Sequence, residues 1–415
     1  MIPLSPRRLI RDFLDIFTGN LVGQILGLVS LIVLANHMTP EFFGRFSAAM
    51  ACVWILASWT DPGLTVTTIR QGAGYADTDP TALRMLFRIV FRLKLILLMA
   101  AVPLGLGLVF TLDPFSIMEQ PGLLWFILAG AIGLSLWQFV SSYLQVHQEF
   151  RLNALCNMAV GALRVVGIGL LVIWQQLSVV TSLAIYAIGP FSVALLAGKR
   201  LQPVLETAPL EDREPLRDVI PFWKWVAVVA LCESLLDRID VLLVVQMIGE
   251  EAAGFYAAVR QISSGLSLVT ASVVTGLLPR ISKLSSSADL YRVVVGSLRY
   301  ALYALPAVIL VVVLADAILS LVYSAPYVEH VRLFQYITLS FFVHLAVQPA
   351  ALALYAVNRP AIRAAIAVVQ LVVGLVLYLF FIRSMGPEGA GLAMLLTNTA
   401  TGVAILSAVF ALLRR

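Results

Sequence analysis

Residues 122–145 read GLLWFILAGAIGLSLWQFVSSYLQ, a long run without one charged side chain. The hydrocarbon core of a bilayer is about 30 Å thick, and about 20 apolar helical residues cross it. A segment of this length and composition indicates a membrane-spanning helix. The surrounding sequence repeats the pattern many times, so the solvent of this protein is lipid.

The composition of the whole chain leads to the same conclusion. Of 415 residues, 60% are hydrophobic and 12% are charged, and the mean hydropathy is +0.95. Ordinary soluble domains have about 45–50% apolar and about 25% charged residues. The net charge of +5 is explained by basic residues in the loops, so no nucleic-acid partner is expected. Cys52, Cys156 and Cys232 lie in apolar runs without metal-ligand spacing, so we expect small core side chains there.

The apolar runs predict an all-α, polytopic transmembrane bundle of about 12 helices. The predicted spans are 17–37, 43–68, 88–110, 122–145, 152–174, 178–198, 220–247, 253–277, 294–322, 331–356, 361–382 and 388–412. Residues 1–16 alternate basic and apolar side chains, which predicts an amphipathic cytoplasmic segment that lies along the membrane surface before the first span.

The basic residues give the chain its predicted orientation. Cytoplasmic loops of membrane proteins carry an excess of Lys and Arg. With the N-terminus inside, most of the 28 Lys and Arg residues fall in the inner segments, and the outer loops hold only Arg45, Arg332 and Arg383. A missed span would invert every later loop and mix the two classes. We therefore expect a multi-pass protein of the cytoplasmic (inner) membrane with both termini in the cytoplasm.

An internal repeat divides the chain into halves. A shift of 210 residues aligns MTPEFFGRFSAA at 38–49 with IGEEAAGFYAAV at 248–259, although chance similarity among apolar helices is an alternative. Six spans per repeat give both halves the same orientation, as in transporters whose substrate site lies between two parallel repeats. The predicted domains are two six-helix lobes at 17–198 and 220–415, joined by a cytoplasmic linker at 199–219.

Several motifs of these halves resemble the oligosaccharide flippase (Wzx-type) family. GNLVGQ at 19–24, MTPEFFGRF at 38–46 and DPGL at 61–64 resemble its opening, and RID at 238–240 with GFYAAVR at 254–260 resembles the start of its second half. The family belongs to the superfamily of the MATE exporters and the lipid II flippases. The resemblance implies a flippase that moves a polyprenyl-diphosphate-linked oligosaccharide from the inner to the outer leaflet in the biosynthesis of O-antigen, capsule or exopolysaccharide.

Three acids on the seventh span are candidates for cation coupling. Glu233, Asp237 and Asp240 have the spacing i, i+4, i+7 and share one helix face, whereas we expect Arg238 to point away. Charges within spans cost about 2.5–3.5 kcal/mol each on insertion scales, so they usually face the bundle interior or water. We hypothesise that the acids bind H⁺ or Na⁺. The alternative is structural pairing with arginines of the spans.

Candidate substrate-binding residues are the cations and amides within spans. A diphosphate needs arginines, and sugar hydroxyls need amides. The predicted set is Arg164, Arg260, Arg238, Asn20, Gln24 and Gln138. Arg164 is the first choice because it lies near mid-membrane. Interhelical ion pairs and hydrogen bonds are the structural alternatives.

The sequence Asp61-Pro62-Gly63 is expected to break the second helix, either as a gate or as a structural cap. We find no nucleotide-binding motif, no catalytic arrangement and no metal-ligand spacing, so no catalytic residue, metal or cofactor is predicted.

The sequence therefore favours a non-enzymatic transporter that works by alternating access. Its expected partners are the lipid-linked oligosaccharide, a coupling cation, membrane lipid, and a polysaccharide polymerase with its assembly proteins. A MATE-like cation-coupled multidrug exporter is the first alternative. A membrane glycosyltransferase or polymerase and a binding-only scaffold come after it.

Overall fold

A computed structural model describes residues 6–76, 78–112, 121–201, 214–266, 287–323, 325–356 and 359–413. Over these ranges the chain is entirely helical, with fifteen helices and no strand. The helices are α1 (Pro6–His37), α2 (Pro40–Trp59), α3 (Leu64–Tyr75), α4 (Pro80–Leu112), α5 (Pro121–Val146), α6 (Phe150–Ile173), α7 (Val179–Gly198), α8 (Glu214–Met247), α9 (Glu250–Ser263), α10 (Ser287–Val313), α11 (Ala315–Val322), α12 (Ala325–Val328), α13 (Val331–Ala356), α14 (Pro360–Met385) and α15 (Pro387–Leu413).

The helices make the protein a multi-pass membrane bundle, as the sequence predicted. Within the described ranges, eight helices are long and apolar enough to cross a bilayer, and Leu21–His37 is a shorter apolar segment. The eight are α2, α5, α6, α7, α10, α13, α14 and α15. Some predicted segments lie outside the described residues, namely 1–5, 202–213 of the predicted linker, and 267–286. The last range includes the end of the span predicted at 253–277.

Two predicted spans are not continuous helices. The span predicted at 43–68 ends at Trp59 and resumes at Leu64, because Pro62 and Gly63, with φ 68°, occupy the break. The break at Asp61-Pro62-Gly63 is therefore confirmed. The span predicted at 294–322 is interrupted at Leu314, whose angles of φ −84° and ψ 12° depart from helical geometry.

The helix boundaries confirm the internal repeat. Helices of the second half begin or end 210 residues after their counterparts in the first half. The corresponding boundaries are His37 and Met247, Pro40 and Glu250, Pro121 and Val331, Val146 and Ala356, and Phe150 and Pro360. Packing follows the same correspondence, since α5 packs on α7 and α13 packs on α15. Chance similarity among apolar sequences does not produce matching boundaries, so the repeat belongs to the fold.

The chain forms two compact units. The N-unit comprises Met1–His37 and Ala49–Leu231, and the C-unit comprises Met38–Ala48 and Cys232–Arg415. The chain changes from one unit to the other three times, just before α2, within α2 and within α8. The lobe and linker boundaries drawn from the sequence stay predictions.

Each unit has its own apolar core. In the N-unit, Phe87 packs edge-on against Tyr143, with ring centroids 5.2 Å apart, among buried side chains of α4, α5 and α7. In the C-unit, α10, α13 and α15 contribute the core around Leu354 and Ile405. These cores fix the helices that carry the polar side chains described below.

A reciprocal glycine contact joins α2 to α9 within the C-unit. A Cβ atom on Gly44 would overlap the carbonyl oxygen of Glu250, and a Cβ atom on Gly254 would overlap that of Pro40. Pro40 and Gly44 lie 210 residues before Glu250 and Gly254. Equivalent surfaces that contact each other in this way are the mark of two-fold symmetry. The two glycines therefore let the repeat-related helices approach at backbone distance.

Candidate functional site

An arginine without an acidic partner lies in the N-unit. The guanidinium carbon of Arg164, on α6, lies 4.6 Å from the ring centroid of Tyr186 on α7. Its Nε is buried and has no hydrogen-bond partner, and no carboxylate lies within ion-pair distance among the described side chains. A cation–π contact offsets only part of the desolvation of a guanidinium. Arg164 is therefore a positive group with donor capacity to spare.

The surroundings of Arg164 hold it in place. The hydroxyl of Tyr186 is 2.7 Å from Oγ of Ser30, and Ser30 donates to the carbonyl of Gly27 at 2.8 Å. A Cβ on Gly27 would lie only 3.9 Å from Nη1 of Arg164. At this ordinary van der Waals distance the guanidinium lies beside α1, and the ring of Tyr186 lies 4.6 Å from its central carbon.

The amides predicted to bind sugar differ in how far their side chains are buried. Gln138, on α5, is partly buried, and its Oε1 has no hydrogen-bond partner among the described residues. Gln24 is exposed on α1. The side chain of Asn20 lies outside the described residues. The indole of Trp137, the residue before Gln138, donates to Asn157 on α6 at 3.2 Å, so interhelical hydrogen bonding does occur between α5 and α6.

In the C-unit, Glu233 on α8 pairs with Arg363 on α14. The side chain of Arg363 is 6% exposed, whereas that of Glu233 is 43% exposed. Arg363 lies in the first turn of α14, at the end of the span that the sequence predicts to be cytoplasmic. The residue follows Pro360 by three positions, which looks like a loop end, but an acid on the neighbouring helix stabilises its buried charge.

The other two acids of α8 share Arg260 of α9. Nη2 of Arg260 donates to both the main-chain oxygen and Oδ1 of Asp237 at 2.7 Å, and its Nε lies 3.2 Å from Oδ2 of Asp240. Asp240 also accepts from the hydroxyl of Tyr256 at 2.6 Å and from the amide of Val241 at 2.7 Å. Arg260 is therefore bonded to protein acids in this structure.

Arg238 does not point away from the acids, in contrast to the sequence-based expectation. Its Nε lies 3.2 Å from Oδ2 of Asp237. The helical spacing gives the direction of the Cβ atom, but the long side chain brings the guanidinium back over the preceding residue. Asp237 therefore lies between two arginines, Arg238 and Arg260.

Exposure separates the three acids. The side chains of Glu233 and Asp237 are 43% and 51% exposed, and that of Asp240 is 1% exposed. An ionised carboxylate is costly in contact with acyl chains, so half-exposed acids within a span indicate contact with water. Asp240 is sealed inside hydrogen bonds.

The break after α2 is held by a buried ion pair. Asp61 accepts from Nζ of Lys94 at 2.6 Å, and it caps α3 by accepting from the amide and hydroxyl of Thr65 at 2.8 and 2.6 Å. The indole of Trp223 donates to the carbonyl of Pro62 at 2.9 Å. The charge count along the sequence assigns Lys94 to a cytoplasmic segment, but the residue is buried because Asp61 neutralises it. These contacts support the capping role, and gating at Asp61, Pro62 and Gly63 stays a prediction.

The sequence matches a known protein family. A family model described as polysaccharide biosynthesis protein matches residues 9–285. The chain belongs to this family. The resemblance to Wzx-type flippases is thereby confirmed. A search of curated proteins finds no match to the sequence.

Solved structures with the same fold are transporters. The chain is similar to the lipid II flippase MurJ in an inward closed conformation, with a TM-score of 0.74 and 13% identity over 95% of this chain and 87% of that one. It is also similar to an inward-facing multidrug resistance MATE family transporter of the MOP superfamily, with a TM-score of 0.73 and 12% identity over 94% of each chain. The Vibrio cholerae MATE transporter VcmN in its bent form has a TM-score of 0.61 and 16% identity over 97% of each chain. At such identities the likeness establishes the fold.

Among the described residues, no three His, Cys, Asp or Glu side chains converge as metal ligands do. The charged groups that the structure describes within the helices are arranged in pairs and small networks.

Proposed function

We propose that this protein flips a polyprenyl-diphosphate-linked oligosaccharide from the inner to the outer leaflet of the cytoplasmic membrane. Its termini lie in the cytoplasm, and it works by alternating access. The observation that carries the proposal is Arg164, a partly buried arginine of a membrane helix that stacks on Tyr186 and has no acidic partner among the described side chains. Membership of a polysaccharide biosynthesis family supports a glycan substrate.

The physical argument concerns the head group. A diphosphate with a hydroxyl-rich sugar cannot cross hydrocarbon unaided, because its charges and polar groups would lose their hydration. An arginine whose donors are not used by a protein carboxylate can replace part of that hydration, and a guanidinium binds phosphate through two parallel hydrogen bonds. Arg164 would contact the diphosphate, while the polyprenyl tail stays in lipid.

Glu233 and Asp237 are the acids that we propose for cation coupling. Both are about half exposed and each is paired with a buried arginine. Entry of H⁺ or Na⁺ would weaken these pairs and favour a rearrangement of the helices that they join. Asp240 supports the same network from within, because its side chain is enclosed by Tyr256 and Arg260.

A cation-coupled multidrug exporter is the second candidate, because the chain shares its fold with MATE transporters. Such an exporter moves organic molecules that need no phosphate-binding arginine. An arginine without an acidic partner favours an anionic substrate, since it would repel a cationic drug.

Deletion of the protein in its native host tests the proposal. We expect one lipid-linked glycan to accumulate on the inner leaflet, as measured by mass spectrometry of lipid extracts. The wild-type gene and the Arg151→Gln variant should restore export, because Arg151 is an exposed residue of the same helix. Arg164→Gln should lower export at least about tenfold, the loss of one charge-assisted interaction.

The outcomes separate the candidates. Full restoration by Arg164→Gln at wild-type membrane abundance would remove Arg164 from the substrate site. Absence of any lipid-linked intermediate, together with raised drug sensitivity, would instead support the exporter.

The coupling role has its own test. Proteoliposomes with Glu233→Gln or Asp237→Asn should lose the dependence of flipping on an imposed proton or sodium gradient. Undiminished, gradient-dependent flipping by both variants would contradict coupling through these acids.

A further inference from the structure

The pair formed by Arg363 and Glu233 is chemically incomplete. Glu233 contacts Nη2 of Arg363, whereas Nη1 is buried and has no hydrogen-bond partner among the described residues. A guanidinium presents its donors as a planar fork that fits two oxygens of one anion. Glu233 therefore accepts from one terminal nitrogen of the guanidinium and leaves the other without an acceptor. A buried donor without an acceptor is unfavourable.

The two partners also differ in their freedom to move. Arg363 is 6% exposed and is held on α14, which packs against α8 where Leu236 meets Gly374. Glu233 is 43% exposed, so its carboxylate can leave the pair and be hydrated. Removal of Glu233 without a replacement would strand a buried charge, which is strongly unfavourable. The site is therefore built to exchange one anion for another.

We propose that Arg363 is a phosphate-binding residue of the C-unit, and that Glu233 occupies it until a phosphate group of the lipid-linked substrate displaces the carboxylate. This inference rests on the proposed function and assigns it a second binding residue. A phosphate offers the two oxygens that the fork needs, whereas the carboxylate in its present position serves only one nitrogen. The displaced carboxylate of Glu233 then faces water, where it can take up a proton.

The chain carries its own reporter for this exchange. Cys232 precedes Glu233, is partly exposed and lies close enough to Arg363 for an electrostatic interaction. In a Cys52→Ser, Cys156→Ser background, Cys232 is the only thiol of the sequence. Its rate of reaction with a small maleimide reports on occupancy next to Arg363.

Binding of geranylgeranyl diphosphate to the full-length protein in nanodiscs tests the inference, with uncharged geranylgeraniol as the comparison. Arg363→Gln should weaken diphosphate binding at least about tenfold. Glu233→Gln should tighten it several-fold, because the competing charge is gone. The matched control, Arg383→Gln, removes an exposed arginine from the same helix and should change nothing. Diphosphate, but not geranylgeraniol, should slow the labelling of Cys232.

The results distinguish this inference from the proposed function. Suppose that the wild-type protein binds the diphosphate. If Arg363→Gln binds it equally well, or if Glu233→Gln binds it more weakly, the exchange at Arg363 is refuted. The flippase proposal still stands in either case. If wild-type protein binds no diphosphate and its deletion accumulates no lipid-linked glycan, both fail. Should Arg363→Gln not fold, the Glu233→Gln affinity and the protection of Cys232 still decide, since unchanged values in both overturn the inference.

Discussion

Substitution of Asp240 by Asn tests whether Asp240 has a structural role or a coupling role. Asp240 is 1% exposed, accepts hydrogen bonds from the hydroxyl of Tyr256 at 2.6 Å and the amide of Val241 at 2.7 Å, and forms an ion pair with Nε of Arg260 at 3.2 Å. An asparagine keeps the shape of the side chain, but one of its two polar atoms is a donor. Because both hydrogen-bond partners are donors and Arg260 is a cation, the substitution removes an acceptor from one donor and a counter-charge from the arginine.

The magnitude follows from these contacts. A hydrogen bond to a charged group contributes about 1.5–3 kcal/mol, and a buried donor without an acceptor costs a similar amount. Arg260 keeps its bonds to Asp237, so its charge is not left uncompensated and the larger penalty of a broken buried pair does not apply. We expect a loss of about 3 kcal/mol. For a unit of about 200 residues this lowers the melting temperature by about 6–12 °C.

Thermal unfolding of the purified protein in detergent measures this effect, with Asp237→Asn as the matched variant. Asp237 is 51% exposed, so water replaces part of what it loses, and its shift should be less than half as large. When kept below its melting temperature, Asp240→Asn should still flip lipid. A melting temperature equal to that of the wild type, together with loss of gradient-dependent flipping, would refute the reasoning and make Asp240 a coupling residue.

Three further substitutions test the packing. Lys94→Met strands the buried carboxylate of Asp61 and should destabilise the N-unit by about 3–5 kcal/mol in thermal unfolding; a shift as small as that of a surface variant would contradict a buried pair. Gly44→Val forces apart two helices in backbone contact and should reduce the folded yield, measured by size-exclusion chromatography, whereas Gly74→Val meets open space and serves as the control. Arg45→Gln removes a partly exposed ion pair and should lower the free energy of unfolding by less than about 1 kcal/mol. A larger decrease of the melting temperature would contradict a partly exposed pair.

The sequence predicts the elements of this fold well, because lipid imposes one simple rule. Each span must be long and apolar, so hydropathy alone locates helices such as 331–356, which agrees with the structure residue for residue. The shift of 210 residues also predicts matching helix boundaries from the sequence alone. Pro62 and Gly63 indicate the break in the second span through their own backbone chemistry.

Side-chain partners are predicted much less well, because they depend on neighbouring helices. Lys94 and Arg363 lie near the ends of apolar runs, and a count of charges groups them with the basic residues of the inner segments. In the structure each is buried against an acid from another helix or helix break. A usable signal exists, since Asp61 and Glu233 are themselves acids of apolar segments that need a cation. Hydropathy gives no means of pairing them.

The electrostatic difference between the two repeats arises from exchanges at equivalent positions. Gly27 and Asp237 are 210 residues apart, and so are Arg164 and Gly374. In the N-unit the glycine lies on α1 at ordinary contact distance from Arg164 of α6, whereas in the C-unit the glycine lies on α14 and leaves room for Leu236 of α8. Among the described side chains, the first repeat thus holds Arg164 without an acidic partner, and the second holds Glu233 and Asp237 paired with arginines at other positions. In the proposed mechanism, the same backbone would bind an anion in one unit and a proton or cation in the other, an asymmetry suited to coupled transport.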